Sequence, residues 1–331
     1  MNIPFSYSKY STYTTCPLKY VHQYILRTPI LSEQKYPLVL GKLTHLFIQL
    51  YNDNVYDKSD FLKFKDNLNF LHNYSNLVYP KFNNDVYEIC KVNTEESVNS
   101  MIEYIKGDMK VYYHAIKLFN VYQSLFFPKI NKYTSKIISE MTFNNVVNIS
   151  SDMNVCFYGS IDILFYRNLN NELDYIYISD IKTGKKLYEH YFFQLFFYYW
   201  NIVNYNDVNV TNDNSNRDLM IQLKNYLNSR NTKFVLFSLQ ENKSDAQTIE
   251  SLKLQNKNYD LFIETLFNDL KNHIYHLHNI DKNELNLNDI YLKYKDSYKI
   301  RYSKDSRKSD VNYLCNNCDY CNVCEFKLMK G

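Results

Sequence analysis

The chain is short of the residues that punctuate most folds: 331 residues contain only 5 Gly and 6 Pro, and a single Trp. Asn, Tyr, Lys and Ile are plentiful instead, a bias of the kind an AT-rich genome imposes, which says little about mechanism. No sign of charge dominates. Lys and Arg number 38 against 35 Asp and Glu, and the formal net charge of +3 is too small to argue for nucleic-acid binding without local clusters. Long hydrophobic runs are also missing. The longest, 191–203, contains Gln194 and Asn201 and falls well short of the ~20 residues a bilayer span requires, so it reads as a buried helix and no membrane contact is expected. Residues 1–15 show no basic region followed by an apolar stretch, hence no secretory signal, and the chain is expected in the cytoplasm, a reducing compartment. No G-x-x-x-x-G-K-[ST] phosphate loop occurs, which excludes a helicase motor in this chain, and no internal repeat is found.

Apolar material is ample. Hydrophobic residues make up 45% and aromatic residues 17%, with 34 Tyr supplying large amphipathic surfaces for a packed core. The length favours one core carrying insertions. Tyr10, Tyr13, Leu18, Val21 and Ile25 recur at mostly three- and four-residue spacings, predicting a helix around Cys16 with Pro17 in a first turn. A helical pattern runs from 38 to about 125. The texture then changes to β-branched and aromatic runs over 136–149, 155–167 and 173–182, separated by Asn/Asp-rich turns, which are the predicted central strands. Helix returns over 188–203, followed by a polar Asn-rich stretch, 204–232, in which only 218–227 has a helical pattern. A short strand at 234–239 and a helical stripe from Tyr259 to Leu277 precede a terminal cysteine cluster.

Within the strands the carboxylates form a pattern. Asp180 and Lys182 flank Ile181, and because strand side chains alternate they share one face while Ile181 points the other way. Asp162 lies in the preceding strand and Glu140 in the one before, so adjacent antiparallel strands bring the three carboxylates together. Phosphodiester hydrolysis needs an activated water and cations to neutralise charge developing on the phosphate; clustered carboxylates are hard oxygen ligands suited to Mg²⁺ or Mn²⁺. A lysine beside them orients the water and stabilises the transition state. A lone D-x-K triplet is usually a surface ion pair. Its setting distinguishes this one: Gly159-Ser160-Ile161-Asp162, then Asp180-Ile181-Lys182-Thr183-Gly184, then Gln194 and Tyr198 at helical i, i+4 spacing.

That run resembles the RecB-like PD-(D/E)XK nucleases, with their G-x-x-D strand, (D/E)-x-K-T-G strand and Q-x-x-x-Y helix. The resemblance implies that Asp162 and Asp180 are metal ligands, that Lys182 is the catalytic lysine, and that Gln194 and Tyr198 contact DNA or organise the site. Gly41-Lys42-Leu43-Thr44-His45 is similar to the family's G-x-x-x-H helix, which implies His45 as a third ligand through its imidazole. Glu140 matches, as a single residue, the acidic position that opens the family's first core strand. The implied fold is an α/β, restriction-endonuclease-like mixed sheet flanked by helices, in one domain over 1–331 with a helical insertion at about 52–130 and a polar one at about 204–232.

Of the seven cysteines, Cys315, Cys318, Cys321 and Cys324 crowd together, while Cys90 and Cys156 stand alone and read as buried thiols. In a reducing compartment this spacing argues for metal or cluster binding over disulfides. One reading is a local Zn²⁺ knuckle of the four terminal cysteines, although three consecutive C-x-x-C steps are cramped for one tetrahedral ion. The other joins Cys315, Cys318 and Cys324 to Cys16, which sits in a C-P-x-x-Y context. This resembles the iron–sulfur subgroup of AddB-type recombination nucleases and CRISPR-associated adaptation exonucleases, and implies a [4Fe–4S] cluster stapling 311–331 to the N-terminus. Cys321 has no counterpart in that pattern and stands as a spare thiol or a replacement for Cys324.

Residues 293–310 interleave Lys293, Lys295, Lys299, Arg301, Lys304, Arg307 and Lys308 with Tyr294, Tyr298 and Tyr302, a mixture that tracks phosphates and stacks on bases, or else a solvated linker. The resemblance implies a metal-dependent DNA exonuclease acting on ends or single strands, in recombination, repair, replication or CRISPR adaptation, with a helicase or integrase as protein partner. Two other readings stay open: a catalytically inactive DNA-binding subunit of a helicase or integrase complex, against which intact Asp162, Asp180 and Lys182 argue, and a zinc-bound interaction module.

Overall fold

Pro17 decides the start of the chain. Proline has no N–H to continue a helix and disfavours helical backbone in the residue before it. The helix expected around Cys16 is therefore two: α1 (Tyr7–Thr15) and α2 (Pro17–Tyr20), with Cys16 extended between them at φ −156° and ψ 101°. Ser6 caps α1, and the Cys16 sulfur caps α2 by accepting the Lys19 N–H at 3.3 Å. A strand, β1 (Asn2–Phe5), precedes them, and a π-turn, Val21–Ile25, follows.

The computed structural model describes residues 2–28, 36–66, 68, 71, 98–134, 136–151, 153–169, 172–184, 191–206, 217–227, 231–255, 259–279, 286, 287, 289, 290 and 318–320. Cys90, Cys315, Cys321, Cys324 and the basic aromatic stretch 293–310 lie outside these residues. The chain divides into two compact units, a smaller one made of 1–33, 148–155 and 263–331, and a larger one made of 34–147 and 156–262.

In the smaller unit, residues 318–320 meet the first helices. Lys19 Nζ is 3.4 Å from Asp319 Oδ2, and the Tyr320 ring stacks on His22 with centroids 5.4 Å apart. Burial pushes the Cys318 thiol up, and Cys16 is close enough to add to that shift. Neither cysteine is in a disulfide. Tyr20 and the His278 Nε2 are hydrogen-bonded at 2.9 Å, and Tyr10 donates to Asp269 Oδ2 at 3.1 Å.

The larger unit begins with α3 (Tyr36–Asn52), whose Val39, Leu40, Leu43, Phe47 and Leu50 form a buried stripe at three- and four-residue spacing. α4 (Lys58–Lys63) is fixed by an Asp57–Asp60 capping box and contributes Phe61, stacked 4.5 Å from Phe47. α5 (Lys110–Val121) packs on α3, and α6 (Phe127–Tyr133) leads to the sheet. At its end α3 is tied down by Asn52, which accepts from Tyr122 at 2.9 Å and donates to Ser139 at 2.9 Å.

The three long strands are where the sequence places them: β2 (Lys136–Ser150), β3 (Met153–Leu169) and β4 (Glu172–Lys182). After α7 (Tyr191–Val203) and α8 (Arg217–Tyr226) come β5 (Thr232–Ser238) and β6 (Lys243–Thr248). β2 pairs with β3, β3 is antiparallel to β4, β4 parallel to β5, and β5 antiparallel to β6. The result is a mixed sheet flanked by helices, with the parallel step made through α7 and α8. The sequence does not predict β6, since Lys-Ser-Asp-Ala-Gln-Thr shows no apolar alternation; it pairs with β5 along its whole length.

Strand parity sorts the two faces. Ile163, Phe165, Ile181, Val235 and Phe237 join the core of α3 and α5. Asp180, Phe234 and Leu236 face the other way, where Phe196 and Tyr199 of α7 meet Phe234. Among the described residues no helix is long and apolar enough to cross a membrane.

Candidate active site

The sheet opens at the point where the carboxylates sit. Pairing between β3 and β4 reaches Ile163 and Ser179 and goes no further, whereas β4 stays paired with β5 as far as Lys182. Asp162 and Asp180 are the next residues at this divergence. Asp162 Oδ2 accepts the Ile181 N–H at 2.6 Å, doing with a side chain what a neighbouring backbone carbonyl does elsewhere in the sheet.

His45, near the middle of α3, reaches the same opening. Its Nε2 is 3.1 Å from the Ile181 carbonyl, and its Nδ1 is 3.5 Å from both Glu140 Oε1 and Asp162 Oδ1. Glu140 is aimed by an unusual backbone: its φ is +47°, a left-handed value rare for any residue but glycine, in the middle of β2. Ser160 donates to Glu140 Oε2 at 2.8 Å and fixes the carboxylate. One donor atom each from His45, Glu140 and Asp162 falls within 4.8 Å of the others. Two carboxylates and an imidazole converging in this way fit Mg²⁺ or Mn²⁺.

The lysine is held on several sides. Lys182 Nζ is 2.7 Å from Asp180 Oδ2 and donates to Gln194 Oε1 at 3.3 Å. Gln194 Nε2 in turn donates to the Tyr198 hydroxyl at 2.6 Å. The Tyr198 ring packs on Phe143, 5.6 Å between centroids, beside Gly159.

Electrostatics follow from burial and crowding. Burial pushes Asp180 up to about 6 against the pull of Lys182, and the charge on Asp162 adds to the rise. Asp162 is held below its usual range because His45 and Lys182 outweigh its own burial. For His45 burial acts downward, but Asp162 and then Glu140 hold it well above the ordinary histidine range. Lys182 is likewise raised, Asp180 and Asp162 overcoming burial. The pocket favours positive charge at the His45 side and keeps the lysine cationic.

His45, Glu140, Asp162, Asp180, Lys182, Gln194 and Tyr198, singled out in the sequence, are thus brought to one place. The three-residue donor group contains Glu140, while Asp180 is engaged by Lys182. Sequence reasoning gave no role to Ser160, although it stands two residues before Asp162 and so shares its face. Of the cysteines that the resemblance joins, only Cys16 and Cys318 are among the described residues, both in the smaller unit, and Cys16 adds to the rise of the Cys318 thiol. Cys156, read as a buried thiol, is half-buried and donates to Asn144 at 2.7 Å.

No curated protein matches the chain. A sequence profile of the PD-(D/E)XK nuclease superfamily, however, matches residues 4–325, nearly all of it. Together with the mixed sheet, the acidic opening and the lysine one residue past Ile181, the match over this length means that the chain belongs to the PD-(D/E)XK nuclease superfamily, a family of metal-dependent phosphodiester hydrolases.

Proposed function

We propose that the protein is a DNA exonuclease of the RecB-like kind, acting on ends or single strands with Mg²⁺ or Mn²⁺. The observation that carries this is the convergence of His45, Glu140 and Asp162 beside the Asp180–Lys182 pair. A divalent ion held by these residues supplies Lewis acidity toward the phosphate. The chain's own groups do the rest. Lys182 presents a fixed ammonium to charge developing on the phosphate, Gln194 keeps that ammonium turned toward the opening, and Tyr198 holds the Gln194 amide. In end-labelled single- and double-stranded DNA, shortening from the ends that needs Mg²⁺ or Mn²⁺ is expected. Asp180→Ala or Lys182→Ala should lower kcat by about 100-fold or more with little change in DNA affinity. Undiminished cleavage by either variant removes the active site; internal cuts in circular DNA remove the exonuclease assignment.

The same reading assigns Cys16, Cys315, Cys318 and Cys324 to one [4Fe–4S] cluster of the iron–sulfur subgroup. Its support is the meeting of the Cys16 segment with 318–320, through Lys19–Asp319 and His22–Tyr320. Protein purified without oxygen should be brown and contain iron. Cys16→Ser should lose the iron and melt at a lower temperature, while Cys321→Ser keeps it. Zinc retained in full by Cys16→Ser makes the terminal cysteines a local knuckle and ends the cluster assignment.

A further inference from the structure

The family pattern leaves one contact of Lys182 unexplained. Tyr191 is the first residue of α7, and Tyr191, Gln194 and Tyr198, spaced three and four apart, share a face of that helix. Gln194 and Tyr198 are the two members of the Q-x-x-x-Y pattern. Tyr191 lies outside it, and Lys182 Nζ lies over the Tyr191 ring at 4.2 Å from its centroid. A lysine ammonium is a compact charge on a flexible four-carbon stem, with considerable rotamer freedom to lose. Asp180 and Gln194 restrain it through oxygen atoms. An aromatic face attracts the cation without competing for its N–H donors, which remain available to oxygen.

We propose that Tyr191 is a positioning residue for Lys182, its ring face confining the ammonium to the orientation that meets the scissile phosphate. This rests on the nuclease reading above. What acts is the ring and not the hydroxyl, so Tyr191→Phe should preserve function while Tyr191→Leu, which keeps bulk and apolarity, should not. Cation–π attraction of ~0.5–2 kcal/mol corresponds to a fall in kcat of about 2- to 30-fold for Tyr191→Leu, with KM for DNA little changed.

Two measurements test it. In protein carrying ¹³C at the lysine ε-carbon, the Lys182 signal is identified by its disappearance in Lys182→Arg. Ring current should shift that signal upfield in the wild type and in Tyr191→Phe, and return it to the position of the other lysines in Tyr191→Leu. Kinetically, the loss in Tyr191→Leu should vanish in a Lys182→Ala background, because the ring then has nothing to position; a merely structural role gives additive losses. Tyr191→Met replaces the leucine variant if that one unfolds. The proposal is overturned if the signal does not move, if Tyr191→Phe is as impaired as Tyr191→Leu, if the whole effect lies in KM, or if the losses add. An upfield Lys182 signal in a wild type whose DNA cleavage is absent or indifferent to Asp180→Ala leaves the contact standing, overturns the nuclease reading, and removes the role assigned to Tyr191.

Discussion

A single backbone angle carries much of the chemistry at the scale of the residue. Glu140 holds φ at +47° within a strand, and such outliers persist where the surroundings over-determine them. Here the surroundings are the Ser160 hydroxyl, the His45 imidazole and the Asn52–Ser139 bond one residue earlier. Glycine adopts that angle freely, whereas alanine pays about 1 kcal/mol for it. Glu140→Gly is therefore expected to melt at a higher temperature than Glu140→Ala, while calorimetric titration with Mn²⁺ finds both weakened alike. Equal melting temperatures would mean that the angle is not strained. The place of Glu140 beside Asp162 was legible from the carboxylates along three strands, but its angle was not. Nothing in Ser-Glu-Met-Thr marks a left-handed residue, since the conformation is imposed by partners far away in sequence.

Two glycines separate shape from pattern at the scale of the elements. A Cβ on Gly159 of β3 would come within 2.9 Å of the Phe143 ring and 3.0 Å of the Tyr198 ring. A Cβ on Gly41 of α3 meets only Thr183 Oγ1, at an ordinary 3.6 Å. Gly159→Ala should thus displace the Tyr198 ring, loosen the Gln194–Lys182 contact and cost ~1–3 kcal/mol of stability with a fall in kcat. Gly41→Ala should be tolerated and even stabilise α3 by up to ~1 kcal/mol. Thermal melts and single-turnover cleavage rates of the two variants check this, and the reverse order would sink it. Elements with a strong compositional or periodic signal were readable: three long strands came from β-branched and aromatic runs, α7 from its apolar run and α8 from a helical pattern. Those set by backbone geometry were not. β6 has no apolar alternation, and the break at Cys16 comes from Pro17 and a sulfur cap, features that periodicity overlooks.

For the molecule as a whole, the smaller unit carries its own sensitivity to acid. His278 is hydrogen-bonded to Tyr20, and burial, with Lys9 adding to it, pushes its imidazole down to about 4. Unfolded, the ring titrates near its ordinary value of about 6.5, so between these pH values the unfolded chain takes up a proton that the folded one refuses. Its contribution is present above that value and lost as pH falls toward 4, with an upper limit of about 3 kcal/mol. Melting temperature should drop between pH 7 and pH 5 in the wild type and drop less in His278→Gln; parallel curves would refute the assignment. Among eight histidines nothing in sequence distinguished this one, because its burial depends on Tyr20, more than 250 residues away in the chain.

The make-up of that unit also fixes an order of events during synthesis. Its residues come from 1–33, 148–155 and 263–331, and its described contacts include Lys19 with Asp319 and His22 with Tyr320. The larger unit is complete once residue 262 has left the ribosome, and domains fold as units from the N-terminal side as the chain emerges. The first helices, by contrast, make described contacts with Asp269, His278, Asp319 and Tyr320, all of which follow residue 262, so the acidic opening is assembled on the nascent chain before these contacts form.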